Sequence, residues 1–220
     1  MKNITIASEF SDKIPHFQGL AISCEVENSE SSDQLWAEMD AFIKEYASTH
    51  EVADINKNIQ IDATRKAYKA LGKEPNRYRP SAEALKRRIM KEKSLYKIDT
   101  LVDLINYVSL KTGFSIGGFD EGKISGDSLE LGVGKEGEDF AAIGRGQLNI
   151  SSLPIYRDMV GGIGTPTSDE ERTKISLSTK HILILVNGYS ESGLEEAESL
   201  FVDLLGRYAK AETYEIVRYK

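Results

Sequence analysis

At 220 residues, with 40% hydrophobic and 29% charged side chains, the chain has the composition of a globular protein able to bury a core. No stretch approaches the roughly 18 consecutive apolar residues of a membrane span, residues 1–6 lead straight into polar sequence without a signal-peptide core, and the lone Cys24 excludes an internal disulfide; a cytoplasmic protein is expected. The formal charge of −7 hides an asymmetry: residues 65–97 carry twelve Lys or Arg against three acids, while the other 187 residues carry sixteen bases and thirty-two acids. That pattern fits either a solvated basic helix or one surface that binds a polyanion.

In chain order, the first quarter reads strand, strand, helix. Residues 20–26 alternate with period two, and Cys24 within them reads as a buried, inert thiol. Leu35, Trp36, Met39, Phe42, Ile43 and Tyr46 recur at helical spacing behind a Ser31-Ser32-Asp33 cap cluster. A second helix is expected from about Asp62 to Leu71, stopping at Gly72. Residues 73–80 form an extended connector, because Pro80 disfavours helix at Arg79, and Ser81 is placed to cap a basic helix from Ala82 to about Lys91. Thr100 and Asp103 open another helix with the apolar face Leu101, Leu104, Ile105, Val108, closed by Gly113. From Phe114 to about Leu153, short apolar runs broken by Gly, Asp and Ser predict several short strands. Residues 182–186 form a continuous apolar run, expected to be a buried strand. Ser192 and Glu195 fit a capping box for a helix carrying Leu194, Ala197, Phe201, Leu204 and Leu205, and residues 213–220 alternate like an edge strand. The expected class is α+β, a central sandwich of short strands flanked by helices, in a single domain over residues 1–220.

Residues 161–173, Gly-Gly-Ile-Gly-Thr-Pro-Thr-Ser-Asp-Glu-Glu-Arg-Thr, are poor in core-forming side chains and rich in glycine and hydroxyls. Two readings coexist: a ligand-facing loop, or a turn at Pro166 leading to a helix start capped by Ser168 and Glu171. Asp169 and Arg172 are spaced for a local ion pair that, with Thr173, would hold the loop's shape. The spacing Gly132-x-Gly134-x-x-Gly137 imitates a dinucleotide-binding turn, but a strand rather than a helix is expected to follow, which makes it a hairpin. His16, His50 and His181 are far apart, and Asp120, Glu121, Asp127 and Glu130 lack calcium-loop spacing, so no metal or other cofactor is expected. No nucleophile elbow is present; hydrolysis, if it occurs, would use a positioned water.

Three segments taken together resemble a known family. They are residues 76–88 (Asn-Arg-Tyr-Arg-Pro-Ser-Ala-Glu-Ala-Leu-Lys-Arg-Arg), residues 100–113 running into Gly118-Phe119-Asp120 and residues 123–126, and the loop 164–173. In this order they resemble the B3/B4 domain of the phenylalanyl-tRNA synthetase beta subunit in its freestanding form. The resemblance covers roughly residues 65–190, with the N-terminal strands and helices and the C-terminal helix and strand packed on that core. Nothing corresponds to the beta subunit's other domains, so aminoacylation by this chain alone is not expected.

The resemblance implies binding of aminoacylated tRNA and hydrolysis in trans of a mis-attached amino acid, the synthetase module's substrate being tyrosine on the phenylalanine tRNA. It places Asn106, Gly117, Gly118, Thr165, Thr167 and Ser168 in the pocket. Arg77, Arg79, Lys86, Arg87 and Arg88 would contact phosphates and Tyr78 would stack on a base. Two positions depart from the family: Gly117 stands where histidine is usual, and Leu185 where a glutamate is expected. A second reading is therefore a non-catalytic module that binds RNA or an amino acid, its hydrolytic site lost, and a third is a small-molecule enzyme reusing the pocket. Neither DNA nor a membrane is an expected partner.

Overall fold

The computed structural model describes residues 1–91, 94–190 and 192–220; Glu92 and Lys93 of the basic segment lie outside the described residues. At its centre is an antiparallel sheet of β2 (Gln18–Glu25), β3 (Ile116–Asp120), β9 (His181–Gly188) and β10 (Tyr214–Tyr219), ordered β10-β2-β9-β3. One face carries Leu20, Ile22, Ile182, Ile184 and Val186, packed on α2 (Asp33–Thr49), α5 (Thr100–Thr112) and α6 (Leu194–Ala209). The other carries Ala21, Phe119, Leu183 and Leu185 against a second sheet. That sheet has the order β1-β4-β7-β8, built from Asn3–Ile6, Ser128–Val133, Pro154–Arg157 and Gly162–Gly164. Because successive strand side chains point to opposite faces, a strand between two layers must be apolar throughout, which explains the unbroken run in β9. The α+β sandwich with helices outside is thus the observed architecture.

Several helix ends follow local chemistry. Ser32 caps α2, accepting the Leu35 N–H at 3.4 Å, and Gly113 ends α5 at φ 88°. Others differ from expectation. The helix expected from Asp62 is α3 (Ile59–Leu71), which starts a turn earlier because the Asn58 side chain accepts the Gln60 and Ile61 N–H groups. Thr100 is the first residue of α5 rather than its cap; Asp99 accepts the Val102 N–H at 2.9 Å. The basic helix, α4 (Ser81–Ile89), has no side-chain cap. Instead the Ser81 N–H donates to the Pro166 carbonyl at 2.8 Å, a partner far away in sequence. The Ser192 capping box does not form, since Gly193 at φ 96° precedes α6 and turns Ser192 out of the helix. Nor do residues 132–137 close a hairpin: β4 pairs with β1 and β7, while β5 (Ala141–Ala142) pairs with β6 (Gly146–Gln147). Cys24 is buried, and burial pushes its thiol up to about 12. Among the described residues no helix is long and apolar enough to cross a membrane.

Candidate functional site

The 161–173 stretch folds as a tight reversal. After β8, the Thr165 hydroxyl oxygen accepts the N–H groups of Thr167 and Ser168 at 3.2 and 3.1 Å, and the backbone closes between Thr165 and Ser168. Thr167 turns inward to Tyr68 of α3, hydroxyl to hydroxyl at 2.9 Å. Asp169 and Glu170 then run back as bridges to Gly164 and Ala142. Residues held in extended bridges cannot also begin a helix, so the Ser168 capping box is absent and only a 3-10 turn, Glu171–Thr173, follows. The expected Asp169–Arg172 ion pair does not form either. Arg172 grips Asp158 through two bonds of 2.8 and 3.0 Å, and Thr173 is fully buried.

This reversal walls a cavity of about 390 Å³. Ser81 and Leu85 of α4, Val102, Ile105, Asn106 and Ser109 of α5, and Ile116 and Gly118 of β3 supply the other sides. Ile98, Ile143, Asp169, Lys174 and Ile175 complete it. Most of this surface is aliphatic. Ser109 is engaged, donating to the Phe114 carbonyl at 2.7 Å, whereas the Asn106 amide makes no hydrogen bond to a described residue. Gly118 lets α5 approach β3: a Cβ there would lie 2.3 Å from Ile105 Cδ1. Its N–H, in the terminal strand of the sheet, donates to Asp169 Oδ2 at 3.3 Å.

Of the sequence-derived pocket residues, the structure brings Asn106 and Gly118 to this cavity and adds Asp169. Thr165, Thr167 and Ser168 do not line it; they shape and anchor the reversal. Gly117 faces away from it. It pairs with Leu185, and both belong to the layer between the sheets, where a Cβ on Gly117 would lie 2.6 Å from the Phe119 ring. Side chains at these two positions therefore point to the face of the sheet opposite Gly118, although a Cβ on Gly117 would also come within 3.3 Å of Asp169 Oδ1 at the sheet edge.

Two aspartates near the reversal behave oppositely. Burial opposes ionisation of Asp158, but the Arg172 pair and the N–H groups of Ser125, Val160 and Gly161 outweigh it and hold its carboxyl below the usual range. Asp169 has no cationic partner among the described residues. Burial pushes its carboxyl up to about 7, opposed only by the Gly118 N–H. It fits between two glycines: a Cβ at Gly164 would lie 2.8 Å from its Oδ1, and one at Gly117 3.3 Å. Sequence reading gave Asp169 a role in loop shape, because its enclosure depends on Gly117 and Gly118, some fifty positions away.

The basic segment is less available than its charge suggests. Glu83, fully buried, takes Arg65 and Arg87 at 2.7 Å each and has Arg79 at 3.8 Å. Lys86 is 3% exposed and lies 4.4 Å from the Tyr46 ring centre, with burial pushing its amine down to about 8. It cannot contact phosphate from there. One face of Tyr78 is covered by the Lys73 ammonium at 3.7 Å, so that face is closed to a base. Arg79 keeps only its longer contact with Glu83, Arg77 lies 5.7 Å from the Tyr78 ring centre, and Arg88 stacks at 4.3 Å on Tyr96, an exposed ring that sequence reading passed over. Among the described residues no cluster of three or more His, Cys, Asp or Glu side chains could hold a metal ion.

The sequence matches the B3/4 domain family over residues 63–208, and the chain belongs to that family. Among solved structures it is similar to an N-terminal fragment of the phenylalanyl-tRNA synthetase beta-subunit from Pyrococcus horikoshii, at 14% identity and a TM-score of 0.50. The match covers 99% of this chain and 54% of that one, so the chain spans about half the length of the fragment whose fold it shares. No curated protein matches it.

Proposed function

We propose that this protein binds the aminoacyl end of a tRNA in the cavity between α4, α5 and the 164–175 segment, and hydrolyses a mis-attached amino-acid ester in trans. The observation that carries the reading is the cavity's make-up: aliphatic walls around an unengaged amide, Asn106, and an enclosed carboxyl, Asp169. Aliphatic walls suit an amino-acid side chain, and the few polar groups suit its ester end and a water. Neither serine in the cavity wall has a histidine beside it, so water, not a covalent intermediate, is the nucleophile. Asn106 can orient that water or donate to the developing oxyanion. Ser81 and Leu85 of the cavity wall are followed by Arg88 on the same face of α4, and Arg88 stacks on Tyr96. Phosphates of the acceptor end would meet Arg88, Arg79 and Arg77. The proposed reaction needs no cofactor, and a cytoplasmic site of action is part of the proposal.

The binding-only reading has its own support in the cavity wall, which among the described residues contains neither histidine nor glutamate. A panel of mischarged tRNAs decides between them. Deacylation of at least one member is expected; binding of the panel without any deacylation would establish the binding-only module. Charge reversal at Arg77 and Arg88 should weaken tRNA binding and lower its salt slope by about one for each phosphate that is no longer neutralised. An affinity indifferent to salt would remove tRNA from the proposal.

A further inference from the structure

We infer that Asp169 is the anchor for the α-ammonium group of the ligand, and that the site therefore takes amino esters with an apolar, uncharged side chain. This rests on the reading of the cavity as an aminoacyl site and adds which group reads the amine and which side chains fit.

An enclosed carboxyl that lacks a counter-charge is unfavourable, and structures usually answer it with a cation or a set of N–H donors. Asp158, paired with Arg172, shows that answer within the same segment. Asp169 has one long N–H bond and no cation among the described residues, and it lines a cavity that would admit a small molecule. The lysine in the cavity wall, Lys174, is drawn off to Glu171 at 2.5 Å. Gly117 and Gly164 hold the carboxyl in place by leaving room no other residue would leave. A missing positive charge at the cavity wall is what the geometry describes.

The chemistry of the cation follows from the surroundings. A metal ion needs several oxygens, and the cavity offers one carboxylate. A primary ammonium needs few partners: one carboxylate, with the Asn106 oxygen able to accept a second N–H bond. The carbon attached to that ammonium would then lie among Leu85, Val102, Ile105, Ile116 and Ile175. Burial of an aliphatic chain against such a wall strengthens binding with each added methylene. The same wall would penalise a second charge, which excludes lysine-, arginine- and glutamate-type side chains.

The test uses the intact protein and three small probes, leucine methyl ester, N-acetyl-leucine methyl ester and glycine methyl ester, titrated by NMR at neutral pH. Leucine methyl ester should bind the wild-type protein in preference to both others, shifting resonances of residues around Asn106 and Gly118. In Asp169→Asn its affinity should fall about thirtyfold or more, the usual loss when one partner of a buried charge pair is removed. N-acetyl-leucine methyl ester, which has no ammonium, should be indifferent to that substitution. Equal binding of the free and acetylated leucine esters to the wild type would overturn the anchor without reference to any variant. Undiminished binding in Asp169→Asn would do the same. Equal binding of the glycine and leucine esters would overturn the side-chain assignment. If none of the esters binds the wild type, the aminoacyl reading of the cavity fails, and the anchor with it.

Discussion

Replacing Asp169 with asparagine should stabilise the protein, and by an amount that depends on pH in a defined way. Burial raises its carboxyl from 3.8 to about 7, so the folded protein holds a proton that the unfolded chain releases near pH 4. Stability therefore falls as pH rises from about 4 to about 7 and stays reduced above that range. A shift of about three units at roughly 1.4 kcal/mol each sets an upper bound of ~4 kcal/mol. Local relaxation and water penetration reduce this to about 2 kcal/mol. The asparagine oxygen can still accept the Gly118 N–H, so the geometry survives. Urea unfolding of both proteins at about pH 4 and about pH 8 measures the effect, since their difference cancels every other titrating group. The two should be close in stability at the lower pH, and the variant more stable by about 2 kcal/mol, or ~4–8 °C in Tm, at the higher. A variant destabilised at both pH values, or a difference that does not change with pH, would refute the claim that the carboxyl is enclosed without a counter-charge. A stabilising loss of charge combined with loss of leucine ester binding would mark Asp169 as retained at a cost to the fold.

Three further outcomes are expected. Lys86→Met should stabilise the protein at neutral pH by about 1 kcal/mol, because burial lowers the lysine to about 8 and penalises its charged form; the advantage should shrink as pH rises from about 8 to 10.5, which thermal melts would follow. Thr167→Val should cost about 1–3 kcal/mol in urea unfolding by leaving the buried Tyr68 hydroxyl without its partner, while deacylation measured well below the midpoint persists. Asn106→Ala should change stability by less than about 0.5 kcal/mol yet slow deacylation of a mischarged tRNA by about tenfold or more; an unchanged rate would remove Asn106 from the chemistry.

What could be seen in the sequence was governed by how local the determining physics is. The apolar run of residues 182–186 meant a strand covered on both faces, and it lies second from the edge of the central sheet between helices and β-strands. Gly113 ended its helix because a left-handed residue does so whatever surrounds it. Ser81 failed as a cap because the helix begins at Ser81 itself behind Pro80, and its N–H is met by the Pro166 carbonyl, a partner no local pattern contains. Charge was legible as a total and illegible as a surface: Glu83 and the Tyr46 ring absorb cations that the sequence presents as free. At the site, Asn106 and Gly118 were legible through family resemblance. Gly117 was misplaced because a one-residue step along a strand moves a side chain to the opposite face.

The contacts around Tyr68 and Glu83 form a three-point brace. Arg65 of α3 holds α4 through Glu83, Tyr68 of α3 holds the reversal through Thr167, and the reversal's Pro166 carbonyl holds the first turn of α4. Each of the three parts is tied to both others, so none can shift alone, and Asp169 moves with the brace. A ligand entering the cavity would find that side unyielding. Its path in would pass the exposed Ile98 just ahead of α5.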